Sequence, residues 1–170
     1  KGGVAVALQL AATITEPNRD LTFVFYEGEE IDSIYNGLRR ISEERPELIE
    51  ADFAILMEPS NGVVEAGCQG TLRFDVITRG ERAHSARSWM GHNAIHDAGA
   101  VLRRLGDYVA RQPEVDGLRY HEGLNAVLIS GGVAGNVIPD ECRVTVNHRF
   151  APDRSIEEAK AFVEDFFAGY

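Results

Sequence analysis

Cysteine is scarce in this chain, which excludes a disulfide-stapled scaffold and a zinc site built from thiolates. Cys68 and Cys142 are the only two cysteines in 170 residues, and no Cys-x-x-Cys pair occurs. Disulfide-rich secreted domains and structural zinc sites need more cysteines at short spacings. This usage favours a cytoplasmic location.

Residues with positive charge are also few, and no long apolar run is present. Lysine and arginine total 17 against 27 aspartate and glutamate residues, which gives a formal net charge of −10. Nucleic acids and anionic membranes are bound through clustered lysine and arginine. A membrane-spanning helix needs about 20 consecutive apolar residues. We therefore expect neither nucleic acid nor a membrane as a partner.

What remains is a globular composition, with 44% hydrophobic and 26% charged residues, rich enough to bury a core. The chain begins at Lys1-Gly2-Gly3, directly before an Ala- and Leu-rich stretch that reads as a helix. A helix that starts at the third residue has lost whatever preceded it. We therefore expect a piece of a longer protein, truncated again after Tyr170.

The first part of the sequence has the pattern of an α/β domain. Residues 3–14 and 33–44 are predicted helices, and the runs 21–26 and 52–57 have the length and composition of buried strands. Alternation of helix and strand favours a parallel or mixed sheet covered by helices. This part, residues 1–68, is predicted to be an incomplete α/β catalytic domain.

From about residue 69 the pattern changes to that of an α+β domain. The order strand, helix, strand, strand, helix lacks only a closing strand of the ferredoxin-like βαββαβ unit. We therefore expect a second domain over residues 69–170. Its predicted elements are 71–79, 91–110, 125–131, 142–150 and a last helix capped by Ser155, with Glu158 completing a capping box.

Carboxylates follow both predicted strands of the first domain, which is where active sites of open α/β sheets lie. Glu29 and Glu30 come after the first strand and Glu58 after the second. One adjacent glutamate could bind a metal while the other acts as a base, as metal-assisted hydrolysis requires. The alternative is a solvated acidic loop, and two oxygen ligands fall short of the three protein ligands of a catalytic zinc.

Among the histidines, His84 lies in the polar loop Arg82–Ser88, between a strand and a helix. Its side chain could have a functional role, or it could simply cap the loop. The other four have no shared ligand spacing, and we expect them on the surface or in packing: His92, His96, His121 and His148. The glycine-rich run 131–136 precedes a strand rather than a helix, so it does not predict a nucleotide site.

Together these segments resemble the M20-type metallopeptidase family, which includes aminoacylases, carboxypeptidases and succinyl-diaminopimelate desuccinylases. Within the family they look most like desuccinylases of the actinobacterial type. Seven motifs in the same order make the resemblance specific. They are Lys1-Gly2-Gly3, Glu29-Glu30, Glu58-Pro59-Ser60, Gly80–Ser85, Gly91–Ile95, Asn136–Asp140 and Arg149.

The resemblance implies a role for each acidic residue. Glu29 corresponds to the general base that activates a metal-bridging water, and Glu30 and Glu58 correspond to ligands of two zinc ions. The family's other ligands, two histidines and a bridging aspartate, would lie upstream of Lys1 and downstream of Tyr170. We therefore expect this piece by itself to be metal-free and inactive.

The resemblance also implies roles in the second domain. His84 corresponds to a histidine that reaches across a homodimer, formed through residues 70–170, to stabilise the oxyanion in the partner's active site. Asn136 and Arg149 correspond to residues that hold the substrate carboxylate. The implied substrate is a small N-acylated amino acid.

The implied activity is zinc-dependent hydrolysis of N-succinyl-LL-2,6-diaminopimelate, a step of lysine and cell-wall precursor biosynthesis. A related aminoacylase or carboxypeptidase is the alternative enzyme, since Gln69 stands where some desuccinylases have an arginine. A non-catalytic dimerisation module is the alternative outside enzymes.

Overall fold

Two units of different character make up the chain in the computed structural model, which describes residues 1–169. They are Lys1–Glu65 and Ala66–Tyr170. Helices occur in both units, whereas the strands lie in the second. The expected mixed helix-and-sheet class is confirmed.

The first unit is helical where helices were predicted. Its helices are α1 (Gly2–Thr13) and α2 (Gly37–Glu44). Asn36 caps α2 because its side chain accepts a hydrogen bond from the backbone N–H of Arg39 at 3.1 Å. The helix ends before Pro46, which begins a single 3-10 turn. A further 3-10 turn covers Ser33–Tyr35.

The two strands predicted for this unit are not formed. Residues 21–26 and 52–57 have no ladder partner among residues 1–65. A strand satisfies its N–H and C=O groups only by pairing with a neighbour, so an apolar run cannot become one alone. Their side chains stay exposed, with Phe53 at 81% and Ile55 at 76%.

The second unit is built on a three-stranded antiparallel sheet with order β1-β7-β5. Its two helices are α3 (Ala94–Gly106) and α4 (Ile156–Phe166). The strands are β1 (Gly70–Arg79), β2 (Ala83–His84), β3 (Glu114–Val115), β4 (Leu118–Arg119), β5 (Gly123–Gly131), β6 (Val137–Ile138) and β7 (Glu141–Phe150). A 3-10 segment, Ser85–Met90, lies between β2 and α3. This is the predicted βαββα order with four two-residue strands added in loops.

The core lies between one face of this sheet and the two helices. Alternate residues of β7 point into it, and Val144, Val146 and His148 are fully buried. Val101 of α3 and Val163 of α4 pack against the same face. The expectation that His148 is a packing residue is therefore confirmed.

Helix α3 is shorter than its predicted range of 91–110. It begins after Asn93, whose side chain accepts a hydrogen bond from the backbone N–H of Ile95 at 2.9 Å. His92 instead pairs its backbone with Glu81. The helix ends at Gly106, so Val109 does not join the apolar face and is 86% exposed.

The two cysteines are reduced and lie in different surroundings. Cys68 is exposed, whereas Cys142 is buried in β7. Burial raises the pKa of the Cys142 thiol. Of the helices within residues 1–169, none combines the length and apolarity that a membrane crossing requires.

The capping box of α4 gives a stability prediction. The Ser155 hydroxyl accepts from the Glu158 N–H at 3.2 Å, and the Glu158 carboxylate accepts from the Ser155 N–H at 2.8 Å. We expect Ser155→Ala to lower the free energy of unfolding by about 1 kcal/mol. Ser155→Thr keeps the hydroxyl and is the matched control. Urea unfolding of both variants measures the difference, and equal midpoints for Ala and Thr would contradict the assignment.

The same pair has a predictable pH dependence. The hydrogen bond from the Ser155 N–H lowers the pKa of Glu158 below its ordinary value. A lowered pKa in the folded state contributes stability above the unfolded pKa, about 4.3, and loses it as the pH falls through the lowered value. The Ser155 hydroxyl also donates to this carboxylate at 3.0 Å, and Ser155→Ala removes that bond while it keeps the N–H. The part of the Ser155→Ala deficit that comes from the hydroxyl–carboxylate bond should therefore narrow in acid.

Candidate functional site

Two of the predicted site residues are brought together by the short strands β2 and β6. His84 pairs with Val137, and the backbone N–H of Ser85 donates to the Asn136 carbonyl at 2.9 Å. His84 and Asn136 are both exposed. Their side chains therefore share one solvent-facing edge of the second unit, which we call the His84 edge (His84, Ser85, Asn136 and Val137).

Glycines explain how the backbone reaches this arrangement. A Cβ on Gly80 would lie 2.2 Å from the His92 carbonyl oxygen, and one on Gly91 would lie 2.7 Å from the Glu81 carbonyl oxygen. Real side chains do not approach a backbone oxygen that closely, so only glycine permits this crossing. The motifs Gly80–Ser85 and Gly91–Ile95 are thus adjacent because of their glycines.

The motif Asn136–Asp140 is hydrogen-bonded to both of these segments. The Gly80 N–H donates to the Asp140 carbonyl at 2.8 Å, and the Ala94 N–H donates to the Pro139 carbonyl at 2.9 Å. Arg82 Nε lies 2.7 Å from Asp140 Oδ1, and this hydrogen bond lowers the pKa of the Asp140 carboxyl. Asp140 therefore stays ionised and holds Arg82, the residue that precedes β2, in place.

A local hydrogen bond fixes which nitrogen of His84 carries the proton. The backbone N–H of Ala86 donates to His84 Nδ1 at 3.1 Å. Nδ1 must therefore be an acceptor, and the neutral ring carries its proton on Nε2. The exposed Nε2–H is a free donor, which is the group needed to stabilise a developing oxyanion.

Arg149 does not join the His84 edge. It lies on β7, opposite Thr71 of β1 and Gly123 of β5. From Glu141, beside the His84 edge, to Arg149 the strand advances eight residues, or about 26 Å at 3.3 Å per residue. The Arg149 guanidinium is exposed and forms no hydrogen bond or ion pair within the described residues. One small substrate cannot touch Arg149 and His84 of the same second unit.

The acidic residues lie in the first unit, in exposed positions. Glu29 and Glu30 occupy a turn after Gly28, whose φ of +76° and close approach to the Tyr35 carbonyl require a glycine. Glu58 follows Met57, which contacts Gly3 so closely that a Cβ there would lie 2.5 Å from the Met57 carbonyl oxygen. The motif Lys1-Gly2-Gly3 thus positions the backbone beside Glu58.

These residues do not constitute a zinc centre by themselves. In the part of the chain that the structure describes, no three His, Cys, Asp or Glu side chains lie close enough to hold a metal ion. Glu30 and Glu58 would supply two oxygen donors, whereas a catalytic zinc takes three protein ligands and an open position. The donors that this chain supplies therefore do not complete a zinc site by themselves.

Comparison with known proteins decides the family. A family model described as the peptidase dimerisation domain of M20 enzymes matches residues 67–169. The chain belongs to the M20 peptidase family. Its second unit is accordingly a dimerisation domain.

Two bacterial relatives with named activities match nearly the whole chain. A Mycobacterium tuberculosis protein named "Putative succinyl-diaminopimelate desuccinylase DapE" is 60% identical over 169 residues, which cover 99% of this chain and 48% of the relative. The succinyl-diaminopimelate desuccinylase of Corynebacterium glutamicum is 49% identical over 162 residues, 94% of this chain and 44% of the relative. The chain spans about half the length of these curated relatives.

Among solved structures, a tripeptidase from Staphylococcus aureus aligns with a TM-score of 0.49 and 23% identity. The alignment covers 76% of this chain and 32% of the tripeptidase.

Sequence reasoning missed the residues that support the His84 edge. Arg82 and Asp140 lie 58 residues apart, so their ion pair is visible only once the backbone is folded. The signal was present in the motifs themselves, because both residues stand inside segments already singled out.

The His84 geometry gives a spectroscopic prediction. We expect the neutral His84 ring to carry its proton on Nε2, which two-dimensional ¹⁵N–¹H spectra of its side-chain nitrogens report. His121, which is exposed and forms no comparable Nδ1 bond within the described residues, serves as the reference for a free histidine. An Nδ1–H tautomer for His84 would contradict the donor role.

Proposed function

We propose that the protein containing this chain is an amidohydrolase that cleaves N-succinyl-LL-2,6-diaminopimelate to succinate and LL-2,6-diaminopimelate. The observation that carries the proposal is 60% identity, over 169 residues, to a protein named for this desuccinylase activity. Residues 1–68 are assigned to the catalytic domain and residues 69–170 to the dimerisation or lid domain. Acidic composition and two reduced cysteines support a cytoplasmic enzyme.

Glu29 is the proposed general base. It would take a proton from the water that attacks the amide carbonyl and deliver a proton to the departing amine as the C–N bond breaks. Its exposed position in a turn leaves the carboxylate accessible to water and substrate.

His84 is the proposed oxyanion donor. Attack on the amide places negative charge on the former carbonyl oxygen, and the Nε2–H, oriented by the Ala86 hydrogen bond, can donate to that oxygen. Asn136, next to it on the His84 edge, supplies an amide donor for the substrate carboxylate. Arg149 lies toward the opposite end of β7, about 26 Å along the strand from Glu141, and would bind a carboxylate in a different active site of the dimer.

Zinc is part of the proposal for the whole protein. Glu30 and Glu58 would each contribute one carboxylate ligand to a two-zinc centre, and the other ligands have to come from outside residues 1–169. When bound, such ions polarise a carbonyl and lower the pKa of water. Because two carboxylates bind zinc weakly, this chain alone is not expected to retain the metal.

A homodimer is proposed through the second unit, at the edge formed by β5 and α3. Within the described residues, β1 and β5 are the two edge strands of the sheet, and Val127, Leu128 and Ile129 on β5 are 48%, 69% and 53% exposed. Ile95 of α3 lies against Gly131 at the end of β5 and is itself 41% exposed. An unpaired apolar edge is a template for a second copy, and two-fold dimers are the commonest oligomers.

A related peptidase is the second candidate. Proteins named as probable carboxypeptidases also match, at 37% identity over 115 residues in Ajellomyces capsulatus. Gln69 donates from Nε2 to the His121 carbonyl at 2.6 Å, which engages one of the two N–H groups of its amide. A non-catalytic dimerisation module is the third reading.

The full-length protein tests the activity. We expect N-succinyl-LL-2,6-diaminopimelate to be cleaved faster than N-acetyl amino acids and dipeptides. Glu29→Gln should lower kcat by a factor of about a hundred or more, because proton transfer is lost. Glu44→Gln, an exposed glutamate of α2, is the matched control. Preferred cleavage of N-acetyl substrates would overturn the substrate assignment, and near wild-type turnover by Glu29→Gln would overturn the base.

A complementation experiment tests the dimer. His84→Ala and Glu29→Gln, both in the full-length protein, should each be nearly inactive alone. After subunit exchange, half of the dimers are mixed and each has one intact site, so about a quarter of wild-type activity should return. Adding Leu128→Asp to both variants should prevent both dimer formation and recovery. Confirmed exchange without recovery would mean that His84 acts within its own subunit.

A further inference from the structure

The face of the three-stranded sheet that points away from α3 and α4 carries an excess of positive charge, although the chain as a whole has a net charge of −10. Alternate residues of β1 and β7 point to this outer face. The charged residues among them are four arginines and two carboxylates: Arg73, Arg79, Arg143, Arg149, Asp75 and Glu141. Two of the arginines therefore lack a carboxylate of their own on this face.

Both carboxylates are engaged toward the Glu141 end of the face. Asp75 Oδ1 accepts from the Thr145 hydroxyl at 2.7 Å, and its Oδ2 accepts from Arg143 Nη1 at 2.6 Å. These two hydrogen bonds, that of Thr145 first, lower the pKa of Asp75. Glu141 accepts from Arg79 and lies 3.6 Å from Arg143. The acids of this face thus compensate Arg79 and Arg143.

The other two arginines are neighbours at the opposite end of the face. Arg73 is opposite Asn147, and Arg149 is opposite Thr71, so Arg73 and Arg149 are diagonal neighbours on one face, with backbones about 7–8 Å apart. Both side chains are exposed, and neither forms a hydrogen bond or an ion pair within the described residues. We call Arg73 and Arg149 the arginine pair.

The side chains around the arginine pair are polar but uncharged. Asn147 Nδ2 donates to the Thr71 hydroxyl at 3.2 Å, and Asn125 of β5 lies opposite Asn147 on the same face. Two like charges held side by side without a counter-charge are unfavourable, and a bound anion relieves that repulsion. Guanidinium groups match carboxylates best among such anions, because their paired N–H donors fit the two carboxylate oxygens.

We infer that Arg73 is a specificity-determining residue, which binds the carboxylate of the substrate's acyl group beside the carboxylate that Arg149 binds. This inference rests on the proposed function, since it takes from there a succinylated substrate and the role of Arg149. It adds to that function a second carboxylate contact, made from β1 rather than β7.

The chemistry of the proposed substrate selects the acyl carboxylate. N-succinyl-LL-2,6-diaminopimelate has three carboxylates, and two of them flank the scissile amide: the α-carboxylate and that of the succinyl group. The third shares its carbon with an ammonium group, which the arginine pair would repel. With the α-carboxylate on Arg149, the succinyl carboxylate is the one left for Arg73. An N-acetyl group would offer Arg73 no partner.

The kinetic test uses the full-length protein and two substrates that differ only at this position. They are N-succinyl-LL-2,6-diaminopimelate and its N-butyryl analogue, in which a methyl group replaces the acyl carboxylate. Arg73→Gln should lower kcat/KM for the N-succinyl substrate about ten- to a hundredfold, because a charge-assisted interaction is lost, and should leave that for the N-butyryl analogue unchanged. Arg79→Gln is the matched control, since Arg79 lies on the same strand and face but is paired with Glu141. It should leave the preference between the two substrates unchanged. Equal losses on both substrates in Arg73→Gln would overturn the inference.

A binding experiment separates failure of this inference from failure of the proposed function. The ¹⁵N-labelled whole chain is titrated at matched ionic strength with N-succinylglycine, which has both carboxylates, and with N-butyrylglycine, which lacks the acyl one. The Nε–H signals of Arg73 and Arg149 should both shift with N-succinylglycine, whereas only that of Arg149 should shift with N-butyrylglycine. Equal shifts of Arg73 with both ligands, or none with either, would overturn its role. A selective Arg73 shift, together with faster cleavage of N-acetyl substrates by the full-length protein, would overturn the desuccinylase assignment and leave the carboxylate site supported.

Discussion

Strand β7 is the constraint on which the second unit depends, because among the strands within residues 66–169 it alone has hydrogen-bonded neighbours on both sides. All ten of its residues pair with β1 along one edge, and residues 142–149 pair with β5 along the other. Residues pointing to the helix side, from Cys142 to His148, are at most 1% exposed. The motifs at its Glu141 end and Arg149 at its other end are therefore fixed relative to one another.

Local sequence patterns predicted the second unit well because the strands and helices that pair and pack there belong to the same unit. Alternation in 71–79 and the Ser155 capping box depend on neighbours that are present, and both are found in the structure. The strand prediction for 52–57 rested on the same kind of pattern but was wrong. Phe53 and Ile55 have the composition of a buried strand, yet no backbone within residues 1–65 pairs with them. Composition specifies what a segment can become, and pairing decides whether it does.

The candidate site likewise has features that the sequence predicts and features that only the folded structure reveals. His84 and Asn136 were found from sequence because their residue types and motifs carry the signal. The tautomer of His84 depends on the Ala86 N–H, and its support depends on Arg82 and Asp140, which only the fold brings together. The separation of Arg149 from His84 follows from the length of β7. The burial of the Glu122 carboxylate was also beyond sequence reasoning, because its partners, Arg111 and the Ala151 N–H, belong to none of the motifs.

The unequal exposure of the two cysteines allows the chain to be labelled at one cysteine, Cys68, and not at the other. Cys68 is accessible to thiol-reactive reagents, whereas Cys142 is enclosed in β7, where burial raises its pKa and suppresses the reactive thiolate. Cys68 also stands three residues after Glu65, where the first unit ends. A spin label or fluorophore added to the unmodified protein would therefore attach beside the junction of the two units, without prior cysteine engineering.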